Sequence, residues 1–123
     1  RYLTLQWLMF QMGGVGPMFG QFGHFHKFAG AKVEDPYPKQ RYLDETRRLL
    51  KVLDARLEGR PFVMGEDLTI ADIAIFPWVR GLDVSYGARD LVGIDALANV
   101  PVWLERILAR PAVRRGLTVP AAG

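Results

Sequence analysis

The segment from Tyr2 to His26 constrains the fold of this chain most, because it contains no Lys, Arg, Asp or Glu although 24% of all residues are charged. Such a segment could cross a membrane, bind a phosphate group or line a cavity. Apolar residues occupy nearly every position from Tyr2 to Met12, which indicates a helix packed on several sides rather than an alternating strand. Glycines and a proline crowd residues 13–17, and they predict a kink or a break before the helix resumes through Phe28.

The length of this segment exceeds the roughly 20 residues that span a bilayer, and Gly16 and Gly20 have the spacing of a membrane helix-pairing motif. Its composition argues against a membrane span. Glutamines, histidines and Pro17 in its middle would be costly in hydrocarbon. The rest of the chain is patterned as a soluble domain, so we expect no membrane segment.

Residue spacing excludes two kinds of ligand site. The sequence GGVGPMFG has neither the G-x-G-x-x-G nor the Walker spacing of a phosphate loop, and no strand precedes it. His24 and His26 point to different sides of a helix, and no cysteine or third histidine is available, so we expect no metal site. Two interpretations stay open: the segment packs in the core, or its glycines and aromatic side chains line a ligand cavity.

Composition limits the chain to one domain and a few functions. With 123 residues and 50% hydrophobic content, it has the size of one compact domain. The 16 basic and 13 acidic residues are spread along the sequence, so we expect no nucleic-acid partner. Because there is no cysteine, any sulfur chemistry must use the sulfur of a ligand. The start lacks a methionine and a helix cap, and we expect the chain to begin within an element already under way.

A long helix is predicted after Asp35 and Pro36, which form a cap and a first turn. Leucines recur along it at seven-residue spacing, and Gly59 ends it. The charged side chains on its other faces, Asp54 among them, are expected to form a mostly solvated surface.

A second helix begins at a motif with two reinforcing parts. Thr69 and Asp72 have the spacing of a reciprocal helix cap, and Leu68 and Ile73 flank them at the positions of a hydrophobic staple. We assign these four residues a structural role, and we expect replacement of Thr69 or Asp72 to cost about 0.5–2 kcal/mol. The helix that follows is apolar on all sides, which predicts a place in the middle of a bundle, and Pro77 should bend it.

The last third of the chain predicts one further helix from about Pro101 to Ala109, then a short turn at residues 111–117 and an irregular tail. No segment alternates as a strand does. The sequence therefore predicts an all-α domain, a bundle of about five or six helices.

Residues 65–78, GEDLTIADIAIFPW, resemble the cap and buried helix of the C-terminal helical domain of cytosolic glutathione S-transferases. The resemblance extends over essentially the whole chain. Three further stretches are similar to the bacterial nu-class enzymes, which are associated with disulfide-bond reduction: QWLMFQMGGVGPMFGQFGHF, RYLDETRRLLKVLDARLEGRPFVMG and WLERILARPAVRRGL. The yeast nitrogen-regulator prion protein shares much of this pattern.

The resemblance implies that residues 1–123 form the glutathione S-transferase C-terminal-like helical domain of a cytoplasmic two-domain enzyme. A thioredoxin-like N-terminal domain, absent from this chain, would hold glutathione as the cosubstrate, and no metal would take part. Homodimers are usual in the family. The implied function is glutathione-dependent disulfide reduction, with this domain forming the pocket for a small hydrophobic or disulfide substrate and inactive by itself. A non-catalytic interaction module, glutathione conjugation and peroxide reduction are the alternatives.

The resemblance also suggests site residues. Arg41 falls where nu-class proteins carry an arginine directed at the glutathione sulfurs, and a fixed cation beside a sulfur favours the thiolate. Arginine stays charged beside a thiolate, whereas a lysine in a desolvated site readily loses its proton. The candidates for the wall of the second-substrate pocket are Met12, Phe19, Phe22, Phe25, Tyr37 and Trp78.

Overall fold

The structure is a computed structural model that describes residues 1–121. Within that range the chain forms helices and no β-strand, apart from a single bridge between Phe62 and Gly65. The prediction of an all-α domain is confirmed. The end of the predicted irregular tail, residues 122–123, lies outside the described residues.

The helices follow one another along the chain with short connections. Residues 111–116, predicted as part of a turn, form a short helix, because the fixed φ of Pro111 suits a first helical position. No helix among residues 1–121 is both long enough and apolar enough to cross a membrane. The elements are α1 (Tyr2–Phe10), a π-helical turn (Gln11–Val15), α2 (Gly16–Gly23), a second π-helical turn (His24–Phe28), α3 (Tyr37–Leu57), α4 (Ile70–Val84), α5 (Arg89–Val92), a 3₁₀ turn (Ile94–Ala96), α6 (Val100–Leu108) and α7 (Pro111–Gly116).

Residues 2–28 form one continuous helical run, which we call the N-terminal helix. The interruption predicted at residues 13–17 takes the form of a π-helical turn and not of a break. The Gly16 amide donates to the Gln11 carbonyl five residues back, and the backbone stays in the right-handed helical region at both junctions. The wider turn absorbs one extra residue. Pro17 directly follows this turn, and its missing N–H removes one backbone hydrogen bond of the run at that point.

The long helix α3 supplies one wall of the core, as its leucine spacing predicts. Asp35 caps its start, since the Asp35 carboxylate accepts from the Tyr37 amide at 2.9 Å. The prediction that Asp54 is solvated is wrong. Its Oδ1 accepts from the amides of Asn99 and Val100 at 2.8 and 2.9 Å and so caps α6 from a neighbouring helix. The buried leucines are Leu43, Leu49, Leu50, Leu53 and Leu57.

The start of α4 confirms the predicted cap. The Ala71 amide donates to Thr69 Oγ1 at 3.3 Å, and the Thr69 amide donates to Asp72 Oδ2 at 3.0 Å. Asp72 is fully buried, and its Oδ1 also accepts from the Val63 amide and from Trp103 Nε1, both at 2.9 Å. One carboxylate therefore links the start of α4 to the preceding loop and to α6.

Helix α4 has one buried face and one exposed face. The side chains of Ile70 and Ile73 are 53% and 59% exposed, and Val84 is exposed as well. The predicted place in the middle of the bundle is correct, since α4 packs against the N-terminal helix, α5 and α6, but one of its faces stays exposed. Leu68 and Ile73, the staple pair, line an apolar groove of about 440 Å³ between α4, α6 and α7.

Glycines bring the N-terminal helix and α4 close together. A Cβ on Gly16 would lie 3.4 Å from Trp78, and one on Gly20 would lie 3.7 Å from it. A Cβ on Gly23 would overlap the ring of Tyr86. The glycines thus serve the close approach of helices, which is one of the two roles that the sequence left open for them.

Candidate functional site

The predicted pocket residues differ widely in how deeply they are buried. Phe19 and Phe22 are 1% and 0% exposed, so their rings belong to the hydrophobic core. Trp78 is half-buried on α4, against the glycines of the N-terminal helix. Met12 and Tyr37 are 59% and 67% exposed. Within residues 1–121 these side chains do not enclose one common cavity.

Phe25 links the N-terminal helix to the first turns of α3. Its ring stacks on the ring of Tyr42, with centroids 5.7 Å apart and planes 11° from parallel. Tyr42 directly follows Arg41 in the chain. The stack therefore fixes the part of α3 from which the predicted arginine projects. Sequence reasoning missed Tyr42, although an aromatic residue beside a candidate site residue was a usable signal.

Three arginines project from residues 41–48 of α3, and two of them are engaged within the domain. Arg47 Nη2 donates to the Leu91 carbonyl at 2.7 Å. Arg48 makes a two-point ion pair with Glu45, at 2.8 and 2.7 Å. Arg41 is exposed and forms no ion pair with a carboxylate of residues 1–121. Its guanidinium is therefore available to a ligand.

The positive charge of Arg41 acts on the nearby Glu45 carboxyl although the two residues form no ion pair. The hydrogen bond from Arg48 is the main cause that lowers the pKa of the Glu45 carboxyl. Partial burial opposes that shift, and the positive charges of Arg48 and Arg41 add to it. An anion placed near Arg41 would be stabilised by the same field.

A cleft of about 380 Å³ lies between the end of the N-terminal helix and the start of α3. We call it the end cleft, and it is lined by residues 25–27, 30–31, 33, 35–36 and 39. Phe25 is the predicted pocket residue among them. The imidazole of His26 is stacked on Phe22, with centroids 5.2 Å apart. The end cleft is the cavity of the described chain in which aromatic and charged side chains meet beside the start of α3.

The first part of the N-terminal helix presents an apolar surface. Tyr2 is 85% exposed, and the side chains of Leu3, Leu5, Met9 and Met12 are exposed as well. No residue of α1 is buried. An uncharged surface of this kind is typical of a face that contacts another domain or subunit.

Residues 1–121 bring together no group of three or more His, Asp or Glu side chains that could hold a metal ion. The charged side chains that line the end cleft are Lys27, Lys39 and Asp35, beside the rings of Phe25 and His26. Arg41, which has no carboxylate partner in the described part of the chain, lies on the neighbouring turn of α3.

The sequence pattern of the glutathione S-transferase C-terminal domain matches residues 36–114, which is more than half of the chain. The chain belongs to the glutathione S-transferase family. The resemblance of the cap motif is thereby confirmed, and the helical arrangement described above is that of the family's C-terminal domain.

Two curated relatives are disulfide-bond oxidoreductases of Escherichia coli. YfcG is 44% identical over 117 residues, which are 95% of this chain and 51% of the relative. YghU is 37% identical over 118 residues, which are 94% of this chain and 40% of the relative. The chain thus spans about half the length of the curated relatives that it matches.

Solved glutathione transferases superpose closely on the domain. The enzyme of Burkholderia graminis, crystallised with two glutathione molecules per subunit, is 56% identical and has a TM-score of 0.96 over 100% of this chain and 51% of its own. The enzyme of Pseudomonas putida, with one glutathione disulfide per subunit, is 59% identical and has a TM-score of 0.93 over 98% of this chain and 52% of its own.

Proposed function

We propose that this chain is the C-terminal domain of a glutathione-dependent disulfide reductase, in which Arg41 stabilises the thiolate of glutathione. The observation that carries the proposal is the free guanidinium: Arg47 and Arg48 are engaged within the domain, whereas Arg41 is exposed and unpaired among residues 1–121. A permanent positive charge beside a thiol favours its ionised form.

The relatives support the same chemistry. Two of them are disulfide-bond oxidoreductases, and solved neighbours bind two glutathione molecules or glutathione disulfide. The chain itself has no cysteine, so both sulfurs of the exchange would come from ligands. We infer that the remaining half of the enzyme is a thioredoxin-like domain that holds the first glutathione.

The reaction consists of two thiol–disulfide exchanges. In the first, a glutathione thiolate attacks one sulfur of the disulfide, forms a mixed disulfide and releases the other sulfur as a thiolate. In the second, another glutathione thiolate attacks the glutathione sulfur of the mixed disulfide, giving glutathione disulfide and a second thiolate, which takes up a proton. Two glutathione molecules are oxidised for each disulfide reduced, and Arg41 would favour the attacking thiolate in both steps.

The second-substrate pocket is proposed at the exposed side of the helices that carry Met12, Phe25, Tyr37 and Trp78. Phe19 and Phe22 would support that wall from the core, since both are buried. The pocket would take a small hydrophobic or disulfide substrate. The exposed apolar face of α1 suits a homodimer contact, and a glutathione-rich compartment such as the cytoplasm would supply the reductant.

The experiment is a rate measurement on the full-length gene product with glutathione and 2-hydroxyethyl disulfide. We expect turnover in the wild-type protein, and a loss of about tenfold to a hundredfold in Arg41→Ala, in the range of a removed charge-assisted contact. Lys51→Ala removes another exposed cation from α3 and should keep the rate.

Two outcomes would contradict the proposal in different ways. An Arg41→Ala rate equal to that of Lys51→Ala would remove the role of Arg41. A wild-type protein that neither binds glutathione nor reduces the disulfide would favour a non-catalytic interaction module. Faster conjugation of an electrophile or faster reduction of a peroxide than of the disulfide would instead favour the other activities of the family.

A further inference from the structure

The first two turns of α3 carry Arg41 but contribute few side chains to the core. Tyr37 and Arg41 are exposed, and Leu43 is the first residue of the helix that is buried. Tyr42 is half-buried and packs against the core. Its stack on Phe25, with centroids 5.7 Å apart, joins this end of α3 to the N-terminal helix.

The direction in which Phe25 projects depends on the π-helical turns of the N-terminal helix. Phe25 follows the turn at Gln11–Val15 and lies within the turn at His24–Phe28. Each π-helical turn adds one residue to the helix, so the side chains beyond it leave the helix in other directions than a regular α-helix gives. Such turns occur frequently at functional sites. In this helix the second turn carries the ring that reaches α3.

The second π-helical turn is itself anchored to the end of α4. A Cβ on Gly23, the residue before this turn, would overlap the ring of Tyr86, so the two segments are in close contact. Lys27, within the turn, donates from its Nζ to the Ser85 carbonyl. Phe25 is therefore presented to α3 by a segment whose position is fixed on its other side.

Tyr42 and Arg41 are neighbours in one helix, so a movement of one displaces the other. Their Cα atoms lie about 3.8 Å apart across the peptide bond, and their side chains leave the helix about 100° apart. The ring of Tyr42 thus holds the helix while the guanidinium of Arg41 stays exposed. Because a displacement of about 1 Å at a reacting centre costs about a hundredfold in rate, this support matters for chemistry.

We propose that Tyr42 is a positioning residue for Arg41, whose guanidinium it directs at the sulfur of bound glutathione through the stack on Phe25. The inference rests on the proposed function, because it requires Arg41 to act on that sulfur. It assigns to Tyr42 an effect that is transmitted through the helix and the guanidinium and that disappears when the guanidinium is removed.

Two variants remove the stack from opposite sides. Tyr42→Leu and Phe25→Leu each replace one ring with an aliphatic side chain, whereas Tyr42→Phe keeps the ring and serves as the conservative variant. The matched control is Phe10→Leu. Phe10 is also half-buried against the core, and its replacement also removes one aromatic pair, the edge-to-face contact with Trp7 at 5.2 Å.

The test is the pKa of the thiol of glutathione bound to the full-length gene product, followed by the ultraviolet absorbance of the thiolate. No disulfide is present, so loss of a contact with the second substrate does not enter. We expect this pKa to rise by about 0.5 in Tyr42→Leu and in Phe25→Leu, which is half of the rise expected when the charge of Arg41 is removed. Tyr42→Phe and Phe10→Leu should keep the wild-type value.

A double variant shows whether the ring acts through Arg41. Tyr42→Leu combined with Arg41→Ala should have the thiol pKa of Arg41→Ala alone, because no guanidinium remains to be displaced. A further rise in the double variant would overturn the inference. Ring variants with the same thiol pKa as Phe10→Leu would overturn it as well, and Phe25→Leu decides the question if Tyr42→Leu does not fold.

Turnover of 2-hydroxyethyl disulfide by the same proteins separates this inference from the proposed function. If the wild-type protein reduces the disulfide and Arg41→Ala raises the thiol pKa while the ring variants do not, the positioning role fails and the reductase stands. If Arg41→Ala changes neither the rate nor the thiol pKa, the role of Arg41 fails and the positioning role of Tyr42 fails with it.

Discussion

Asp72 and Arg41 are both charged residues near the start of a long helix, and their surroundings are opposite. Asp72 is fully buried and accepts from the amides of Val63 and Thr69 and from Trp103 Nε1. Arg41 is exposed and has no carboxylate partner among residues 1–121. The comparison separates two uses of charge. A charge whose partners all lie within the domain fixes the fold, whereas a charge left without a partner is available for chemistry.

The largest expected loss of stability comes from replacing Asp72, the buried residue of this comparison. Asp72→Ala would remove the acceptor of the Val63 and Thr69 amides and of Trp103 Nε1. Since each unsatisfied buried group costs about 1–3 kcal/mol, we expect a loss of about 3–5 kcal/mol in the free energy of unfolding. This exceeds the loss of about 0.5–2 kcal/mol expected for a helix cap alone, because Val63 and Trp103 also donate to this carboxylate. Chemical denaturation followed by circular dichroism measures it.

Asp44→Ala is the control for that variant, because Asp44 is exposed on α3 and accepts a hydrogen bond only from the side chain of Gln40. It should change the free energy of unfolding by less than about 0.5 kcal/mol. If both variants lost the same stability, the assignment of Asp72 as the structural centre would be wrong.

Two glycine-to-alanine variants should change the free energy of unfolding in opposite directions. They test how closely the N-terminal helix approaches Tyr86, which follows the end of α4. In Gly23→Ala the new methyl group would displace the ring of Tyr86, and we expect a loss of about 1–2 kcal/mol in stability. In Gly13→Ala no atom lies within 4 Å of the new methyl group, and we expect a gain of about 0.5–1 kcal/mol from reduced backbone freedom. Thermal unfolding of both variants gives the two signs, and equal signs would refute the close contact at Gly23.

The smallest effect concerns Glu45, the carboxylate that pairs with Arg48. Pairing lowers the pKa of Glu45 in the folded chain, so its contribution is present above its ordinary pKa of 4.5 and disappears as the pH falls through the lowered value. Glu45→Gln should therefore reduce stability by about 0.2–1 kcal/mol near neutral pH and by less in acid. Urea unfolding midpoints at about pH 7 and about pH 3 measure this. A difference that grows in acid would contradict the sign.

Local signals in the sequence were sufficient for the elements of the fold. The cap at Thr69 and Asp72 and the leucine spacing of α3 involve residues close in sequence, and both patterns recur in the structure as predicted. Long-range partners could not be read in that way. Asp54 belongs to the charged faces of α3 by spacing, yet it caps α6, because that contact joins residues 45 and 46 positions apart.

The candidate site was less predictable than the fold for a similar reason. Resemblance to the family predicts a site role for Arg41, whereas its lack of a partner, in contrast to Arg47 and Arg48, is visible only in three dimensions. In the sequence, Phe19, Phe22 and Phe25 are alike, since all three are phenylalanines of one uncharged segment. The structure distinguishes them, because Phe19 and Phe22 are buried in the core whereas Phe25 lines the end cleft. Periodicity along the N-terminal helix is also disturbed by its π-helical turns.

The ionisation of glutathione bound to the full-length gene product tests the role of Arg41 most directly. The thiolate absorbs more strongly in the ultraviolet than the thiol does, so the absorbance against pH gives the pKa of the bound thiol at saturating glutathione. We expect that pKa to rise by about one unit in Arg41→Ala, equivalent to about 1.4 kcal/mol, and to stay unchanged in Lys51→Ala. An unchanged thiol pKa in a saturated Arg41→Ala protein would contradict the account.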